Sequence, residues 1–234
     1  MTLRVPVAGL REGELTLSSD TDRYVTRVHR RDVGDVIEGF DPETALEAEG
    51  ELVATRPARV RFETPRTTTR RPRVATTLIQ CMAKGTKVDA VVRDATELGV
   101  TRIVLAVASR SVKRGGDVDR YRRVAVEAAR QCGRGDVPEL LGVVDLSAAW
   151  GHGQGRGVLL DGDGAPMADV LAEAEAVTLA IGPEGGFTED EHAAAAAAGF
   201  VAGRVGAFTM RTETAASAAL GARWALWAGS AVKG

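Results

Sequence analysis

Two segments of the sequence combine glycines with residues that can hold a ligand or move a proton. The first, residues 206–215, reads Gly-Ala-Phe-Thr-Met-Arg-Thr-Glu-Thr-Ala and leads from a short apolar stretch into a helical pattern. Thr212 can cap that helix and Glu213 suits its positive end, so helix capping alone accounts for both. Arg211 has no such explanation, because a cation is unfavourable at a helix N-terminus. We therefore expect Arg211 to face a phosphate or a carboxylate.

The second segment, residues 181–186, reads Ile-Gly-Pro-Glu-Gly-Gly and lies between an apolar stretch and a capping-box sequence at residues 188–191. Glycines beyond a strand end let a ligand approach the backbone, although a tight turn would look the same. The chain has neither Gly-x-Gly-x-x-Gly after a strand nor a P-loop sequence, which disfavours a dehydrogenase or a P-loop enzyme. The glycine cluster at 151–157 precedes a strand and is predicted to be a flexible connection.

A parallel α/β domain is predicted to position both segments. After Pro72, apolar stretches typical of buried strands alternate with helical patterns, which indicates a largely parallel sheet. Ligands bind beyond the carboxyl ends of the strands in such sheets, and both segments follow a strand. The strands are predicted at residues 74–79, 103–107, 158–160, 177–181 and 201–205, and the helices at 88–98, 118–132, 188–199 and 212–227.

The first seventy residues predict a smaller, β-rich domain. Alternating apolar and polar residues predict strands at 14–17, 36–38 and 58–62, and one helix, capped by Ser19 or Asp20, interrupts them. Residues 64–72 contain two prolines and no apolar side chain, which is typical of an exposed linker. The sequence therefore predicts two domains, residues 1–71 and residues 72–234.

The charges are unevenly distributed along a chain whose net charge is only -2. Residues 56–134 hold 19 Lys/Arg against 7 Asp/Glu, whereas residues 135–234 hold 5 against 13. This asymmetry predicts a face that binds a polyanion, although basic residues on helices also pair with neighbouring acids, as Glu127 and Arg130 can. Aromatic residues are few, and Tyr24 is the one we expect to be exposed.

The remaining candidates for chemistry are scattered. Cys81 and Cys132 form no Cys-x-x-Cys pair, and the three histidines, at positions 29, 152 and 192, are as far apart. We therefore expect a reduced compartment and no metal. No apolar run approaches the roughly 20 residues that span a bilayer, so we expect a soluble, cytoplasmic protein.

Taken in order along the chain, several motifs resemble the RsmE family of ribosomal RNA methyltransferases, in the SPOUT class. Two departures occur: residues 208–210 read Phe-Thr-Met where the family usually has an arginine shortly before a leucine, and Val205-Gly206 replaces Leu-Gly. The motifs that carry the resemblance lie at residues 24–30 with Gly34-Asp35, and at 84–87, 93–100, 109–112, 127–134, 181–187 and 211–215.

The resemblance implies a SPOUT-type trefoil-knotted parallel sheet, preceded by a small PUA-like β-barrel domain, and a homodimer. It implies S-adenosylmethionine as cofactor and methylation of N3 of a uridine in 16S ribosomal RNA, in free RNA or in the assembled small subunit. Arg211 is then the candidate for steadying substrate or cofactor, and Glu213 for accepting the proton. The implied cofactor-binding residues are Leu160, Ile181, Gly182, Pro183, Gly185, Gly186, Val205, Gly206, Phe208, Met210 and Thr212.

RNA phosphates are expected to bind to basic residues in both domains. Two alternatives remain open from the sequence: a SPOUT enzyme that methylates a ribose 2′-hydroxyl, and a non-catalytic RNA-binding or ribosome-assembly protein. The candidate RNA-binding residues are Arg27, Arg30, Arg31, Lys84, Lys87, Arg123, Arg130 and Arg134.

Overall fold

The computed structural model describes residues 2–112, 115–171 and 174–231. The chain divides into two compact units. Unit 1 consists of Met1–Arg71 and Val126–Val137, and unit 2 of Pro72–Ala125 and Pro138–Gly234. Residues 126–137, which the sequence assigned to the second domain, therefore belong to unit 1. No helix in the described ranges has the length and apolar character needed to cross a membrane.

Unit 1 is built on a six-stranded sheet in which the order is β1-β3-β4-β5-β2 and β6 pairs with β4. Strand β1 runs parallel to β3, and the other pairs are antiparallel. The strands are β1 (Leu3–Pro6), β2 (Gly13–Thr16), β3 (Val36–Asp41), β4 (Leu46–Thr55), β5 (Ala58–Phe62) and β6 (Arg66–Thr67).

The predicted strands of unit 1 are confirmed at β2, β3 and β5, whereas β1, β4 and β6 were not predicted. In β5 burial alternates as half-buried strands require, with Ala58, Val60 and Phe62 inside. The helix is α1 (Ser19–Arg23), followed by a π-helical turn at Tyr24–Val28. Its cap is Ser18, whose hydroxyl accepts from the Thr21 amide at 3.3 Å, because Ser18 is the last extended residue before the helix. The predicted caps at Ser19 and Asp20 are therefore wrong.

The segment after β5 is mostly exposed, as a linker should be, but it is anchored to unit 1. A buried carboxylate on β4, Glu47, needs donors, and the segment supplies them. The Thr68 hydroxyl donates to Glu47 at 2.8 Å and Arg70 donates at 2.7 Å. The guanidinium of Arg4, 4.2 Å from the centre of the Phe40 ring, joins the same group of charges.

Unit 2 contains a six-stranded sheet in which every pair is parallel, with the order β12-β10-β11-β7-β8-β9. The predicted α/β fold with a parallel sheet is confirmed. The strands are β7 (Thr76–Cys81), β8 (Arg102–Val107), β9 (Glu139–Asp145), β10 (Arg156–Pro166), β11 (Val177–Ile181) and β12 (Phe200–Arg204). The helices are α2 (Lys87–Glu97), α3 (Val118–Cys132), α4 (Leu146–Ala149), α5 (Met167–Leu171), α6 (Glu189–Ala197) and α7 (Thr212–Ala231).

Two apolar clusters cover the two faces of this sheet, which is why the strands are continuous apolar runs in the sequence. Leu78 and Leu179 belong to one cluster, and Ile79 and Ala180, their neighbours in the strands, belong to the other. Strand β9 was not predicted, because it lies at the edge of the sheet, is only partly buried, and has a glycine at its centre. The helices α4 and α5, of four and five residues, are too short to show a helical period.

The glycine cluster before β10 is more constrained than predicted. Gly155 has a φ of +66°, and a Cβ there would lie 2.1 Å from the carbonyl oxygen of Ala176. Only glycine fits this close approach, so the cluster is partly a packing requirement where the chain enters β10. Strands β12, β10 and β11 are neighbours, so the segments that leave their carboxyl ends meet at one edge of the sheet.

Candidate functional site

A cavity of about 760 Å³ lies at the carboxyl ends of β11 and β12 in unit 2, beside the part of β10 where its pairing with β12 is interrupted after Leu160. Three segments line it, residues 160–163, 181–187 and 204–212, together with Ala215. Every residue that the sequence predicted to bind the cofactor is among them. The position agrees with the general rule for open α/β sheets, in which ligands bind outside the strand ends.

Thr212 fixes the segment after β11, residues 182–187, which we call the first wall of the cavity. Its buried hydroxyl donates to the carbonyl of Gly182 at 2.8 Å and accepts from the side-chain amide of Gln80 at 2.9 Å. Gln80, fully buried at the end of β7, also donates to the carbonyl of Cys81 at 2.8 Å. Thr212 is the first residue of α7 and not its cap, so the predicted capping role is wrong. Its hydroxyl instead joins α7, β7 and the first wall.

Arg110 holds the same wall from outside the cavity. Its guanidinium donates to the carbonyl of Gly185 at 2.9 Å and to that of Phe187 at 3.2 Å. Arg110 follows β8 in the chain. A Cβ added at Gly185 would lie 3.0 Å from the Cβ of Arg110. The wall and the segment after β8 are therefore closely packed, and two carbonyls of the wall are turned towards Arg110.

Glu191, in α6, also connects the segment after β8 with the residues that follow the first wall. Its carboxylate accepts from the amide of Ser109 at 2.7 Å and from that of Thr188 at 2.8 Å. The Thr188 hydroxyl accepts from the Glu191 amide at 3.2 Å, which confirms the predicted capping box of α6. Burial alone would raise the pKa of Glu191, but the hydrogen bonds from Ser109 and Thr188 outweigh it and hold the pKa below its usual value.

Lys87, a candidate RNA-binding residue, is engaged by two carboxylates. Its ammonium donates to Glu184 at 2.8 Å and lies 3.8 Å from a carboxylate oxygen of Glu213. The hydrogen bond with Glu184 raises the pKa of Lys87 and lowers that of Glu184. Glu184 also accepts from the backbone amide of Lys84 at 3.3 Å, while the Lys84 residue is exposed.

The two candidate catalytic residues differ in their surroundings. Arg211 is exposed and lines the cavity. Glu213 does not belong to the described residues that line it, and its carboxylate lies beside Lys87 at the start of α7. One oxygen of Glu213 is buried and has no hydrogen-bond partner within the described part of the chain.

The structure also adds charged residues to the cavity that the sequence analysis did not single out. Asp161, Asp163, Glu184 and Arg204 all line it. A carboxylate oxygen of Asp161 lies 3.2 Å from Nε2 of His192, and another accepts from the Asp163 amide at 2.8 Å. For Asp161 and Asp163, the signal in the sequence was their position directly after the apolar residues 158–160 of β10.

The other candidate RNA-binding residues are placed differently from one another. Arg27, Arg30 and Arg123 are exposed, and Arg31 lies 3.9 Å from Asp35. The other two lie inside unit 1: Arg130 covers the Tyr24 ring at 4.2 Å and pairs with Glu127 at 2.9 Å, and Arg134 is buried and pairs with Asp136 at 2.6 Å.

The comparisons with known proteins agree with this geometry. A family model described as the RNA methyltransferase domain matches residues 70–224. Ribosomal RNA small subunit methyltransferase E of Mycobacterium bovis is 35% identical over 160 residues, which cover 62% of this chain and 61% of the relative. The Aquifex aeolicus protein of the same name is 32% identical over 133 residues, 54% of this chain and 58% of the relative. The matched segment thus spans about three fifths of the length of these relatives.

Among solved structures, ribosomal RNA small subunit methyltransferase E of Neisseria gonorrhoeae, bound to S-adenosyl methionine, superimposes with a TM-score of 0.88. It is 27% identical, and the match covers 97% of this chain and 98% of that one. The fold and the cavity therefore define an α/β protein of the methyltransferase class. The chain belongs to the RNA methyltransferase domain family.

Proposed function

We propose that this protein transfers the methyl group of S-adenosylmethionine to N3 of one uridine in the 16S RNA of the small ribosomal subunit. The observation that carries the proposal is the meeting of three segments in one cavity at the carboxyl ends of β11 and β12, beside the part of β10 where its pairing with β12 is interrupted. The names of the relatives and the cofactor bound in the Neisseria gonorrhoeae structure support the choice of substrate and cofactor.

The residues of the cavity suit that cofactor. A volume of about 760 Å³ falls in the range of small-molecule sites. Leu160, Ile181 and Met210 offer apolar surface to an adenine, and the acids Asp161 and Asp163 suit a cationic sulfonium and an amino group. Gly186, with a φ of +68°, allows a sharp turn in the wall where a side chain would be strained. The remaining members of the proposed cofactor set are Gly182, Pro183, Gly185, Val205, Gly206 and Thr212. Phe208, predicted for the same set, lines the cavity with an exposed ring.

S-adenosylmethionine, when bound, supplies a methyl group on a positively charged sulfur. The protein's part is to align this group with uracil N3 and to favour loss of the N3 proton. Arg211 is exposed at the cavity, where its cation favours the anion that forms on the base. Glu213 as the proton acceptor stays a prediction, and its contact with Lys87 gives it a second role in holding the start of α7.

Phosphate contacts are proposed for the exposed basic residues, Arg27, Arg30, Lys84 and Arg123, and for Arg31. Lys87, Arg130 and Arg134 are left out, because their cations donate to carboxylates of their own unit at 2.9 Å or less. The pairs of Arg31 with Asp35, at 3.9 Å, and of Arg123 with Asp117, at 3.8 Å, are longer. Binding through phosphates weakens steeply as salt rises.

The finer features of the fold are part of the same proposal. Strand β12 returns to the far side of β10 after β11, which supports a trefoil-knotted SPOUT arrangement within residues 72–234. Residues 1–71 are proposed to form a PUA-like, RNA-binding β-barrel. We further propose a homodimer that acts in the cytoplasm.

The test is methyl transfer to unmodified small ribosomal subunits with labelled S-adenosylmethionine, followed by mass spectrometry of the nucleosides. N3-methyluridine at a single site is expected. As a control, subunits first treated with the protein and unlabelled cofactor should take up no further label. A ribose-methylated product would overturn the proposed position, and a protein that neither transfers methyl nor binds the cofactor would be an RNA-binding protein instead.

A further inference from the structure

The side chain of Phe208 is 88% exposed, more than any other large hydrophobic residue of the described chain. Its segment nevertheless lines the cavity. The other four phenylalanines, Phe40, Phe62, Phe187 and Phe200, are all buried. An aromatic ring exposed at the edge of a cavity is available to stack on the flat face of a bound group.

The charges beside Phe208 indicate the chemistry of what binds there. Arg204 and Arg211 lie on either side of it in the sequence, are both exposed, and line the same cavity. An exposed ring accompanied by arginines is the composition of surfaces that bind unpaired nucleic acid, where bases stack on the ring and cations hold phosphates. The acids of the cavity lie on other segments: Asp161 and Asp163 are in β10, where its pairing with β12 is interrupted after Leu160, and Glu184 is in the first wall.

We propose that Phe208 stacks on the unpaired RNA base that enters the cavity, with Arg204 facing a backbone phosphate of the same strand and Arg211 facing the base itself. The proposal rests on the proposed function, because a base that receives a methyl group must leave its own stack to reach the cofactor. Stacking on the Phe208 ring compensates for part of the stacking free energy that this base loses when it leaves the RNA stack.

Three other properties favour an RNA base over the cofactor as the partner of the ring. The cavity already has apolar lining at Leu160, Ile181 and Met210. The Phe208 side chain is 88% exposed, whereas Leu160, Ile181 and Met210 are buried or half-buried in the walls of the cavity. An RNA strand approaches from the solvent side, where the ring and both guanidinium groups are exposed.

The experiment measures binding of a short, fluorescently labelled oligouridylate to the full-length protein in the presence of S-adenosylhomocysteine, together with KM for small subunits in methyl transfer. The variants are Phe208→Ala, Phe208→Leu, which keeps apolar area without a ring, and Phe208→Trp. Val201→Ala, a second exposed apolar position of unit 2, is the control. Phe208→Ala and Phe208→Leu should each weaken oligouridylate binding and raise KM for small subunits by about 5- to 100-fold. Phe208→Trp should bind oligouridylate and small subunits as the wild type does. Val201→Ala should leave both quantities unchanged.

Binding of S-adenosylhomocysteine without RNA, measured by calorimetry, and the sedimentation coefficient should be the same for all variants. Leucine that binds as well as phenylalanine would overturn stacking. A weaker cofactor affinity in Phe208→Ala would assign the ring to the adenine, and a lower sedimentation coefficient would assign it to a contact between copies. Wild-type protein that binds oligouridylate through Phe208 but methylates no subunit would leave this proposal standing and remove the proposed function. Methyl transfer with an unchanged KM in Phe208→Ala would support the proposed function and overturn the stacking role of Phe208.

Discussion

The two main walls of the cavity are built in opposite ways. The first wall, residues 182–187, is held by side chains that reach it from elsewhere in unit 2: Thr212 at one end and Arg110 at the other. The second wall, residues 204–211, exposes four successive residues at 206–209, and the first wall exposes three, at 184–186, so the two walls differ mainly in the side chains that hold the first one. The difference indicates a division of work, in which a wall fixed in advance positions the cofactor, while the open wall contacts both the cofactor and the larger, more variable RNA.

A fixed wall has a physical advantage for a small ligand. Ordering a loop on binding costs free energy, and hydrogen bonds made before binding remove that cost. Methyl transfer also needs donor and acceptor in line, so errors in cofactor placement reduce the rate steeply. An RNA strand contributes many weaker contacts, which an open surface accommodates. Four predictions test this division.

The largest effect is expected at the open wall, for Arg211→Ala. We expect the fold and cofactor affinity to be kept and kcat for methyl transfer to fall by about 100-fold or more, the usual cost of removing one charge-stabilising group. Single-turnover transfer of labelled methyl to small subunits measures it. Arg122→Ala, which removes an exposed arginine paired with Asp119 on α3, should keep the wild-type rate. Equal rates in the two variants would remove Arg211 from the reaction.

At the fixed wall, Thr212→Val should have the next largest effect. Valine keeps the shape but leaves the carbonyl of Gly182 and the amide of Gln80 without their shared hydroxyl, a loss of about 1–3 kcal/mol in stability. Affinity for S-adenosylmethionine should fall by about tenfold in the same variant. Urea unfolding and calorimetry measure the two quantities. Thr212→Ser keeps the hydroxyl and should retain most of both; a serine variant as weak as valine would show that the methyl group matters instead.

Arg110→Ala should produce a smaller, more selective change. Its hydrogen bonds to Gly185 and Phe187 are at the surface, so the free energy of unfolding should change by less than about 1 kcal/mol. KM for S-adenosylmethionine should rise by about 3- to 5-fold while KM for RNA and kcat stay the same. Arg110→Lys keeps the charge but can reach only one of the two carbonyls. Its KM for S-adenosylmethionine should therefore lie between those of the wild type and Arg110→Ala. An increase in KM for RNA alone would place Arg110 with the open wall.

The smallest effect concerns pH. The folded-state pKa of Glu191 lies below its ordinary value of 4.5, so its stabilising contribution is complete above that value and is lost as pH falls through the folded pKa. Wild type should therefore be more stable than Glu191→Gln at neutral pH, by less than about 1 kcal/mol after screening by solvent. The difference in the free energy of urea unfolding should disappear in acid. A difference that is constant with pH would mean that the carboxylate charge contributes nothing.

How much of the site could be predicted depends on the distance along the chain over which each residue acts. The run of strand, glycines and capping box at residues 177–191 is local, and its strand and its helix cap were both predicted. Gln80 and Thr212 are 132 residues apart and Arg110 and Gly185 are 75 apart, so no local pattern links them. Gln80, a polar residue directly after the predicted apolar strand at 74–79, was the sign in the sequence that a distant partner existed.

Exposure was the hardest property to predict. Tyr24 was expected to be the exposed aromatic, but Arg130, 106 residues away, covers its ring. Phe208 is the exposed large aromatic among the side chains that the structure describes, and its position between Ala207 and Thr209 gave no indication of burial or exposure. Arg134 was expected at the surface because it closes a basic helix, yet its pairing with Asp136 and its carbonyl contact with Arg4 place it inside unit 1.

Helix α3 begins in unit 2 and ends in unit 1. Cleavage after residue 71 would therefore not release two complete modules. The N-terminal fragment would lose the carbonyl of Arg134, to which Arg4 donates at 2.5 Å, and the guanidinium that covers Tyr24. The C-terminal fragment would retain residues 126–137 without the sheet on which they pack. For the evolution of the chain, this means that exchange of the N-terminal unit by simple end-to-end fusion would leave it incomplete, because residues 126–137 of that unit are encoded between two segments of the other.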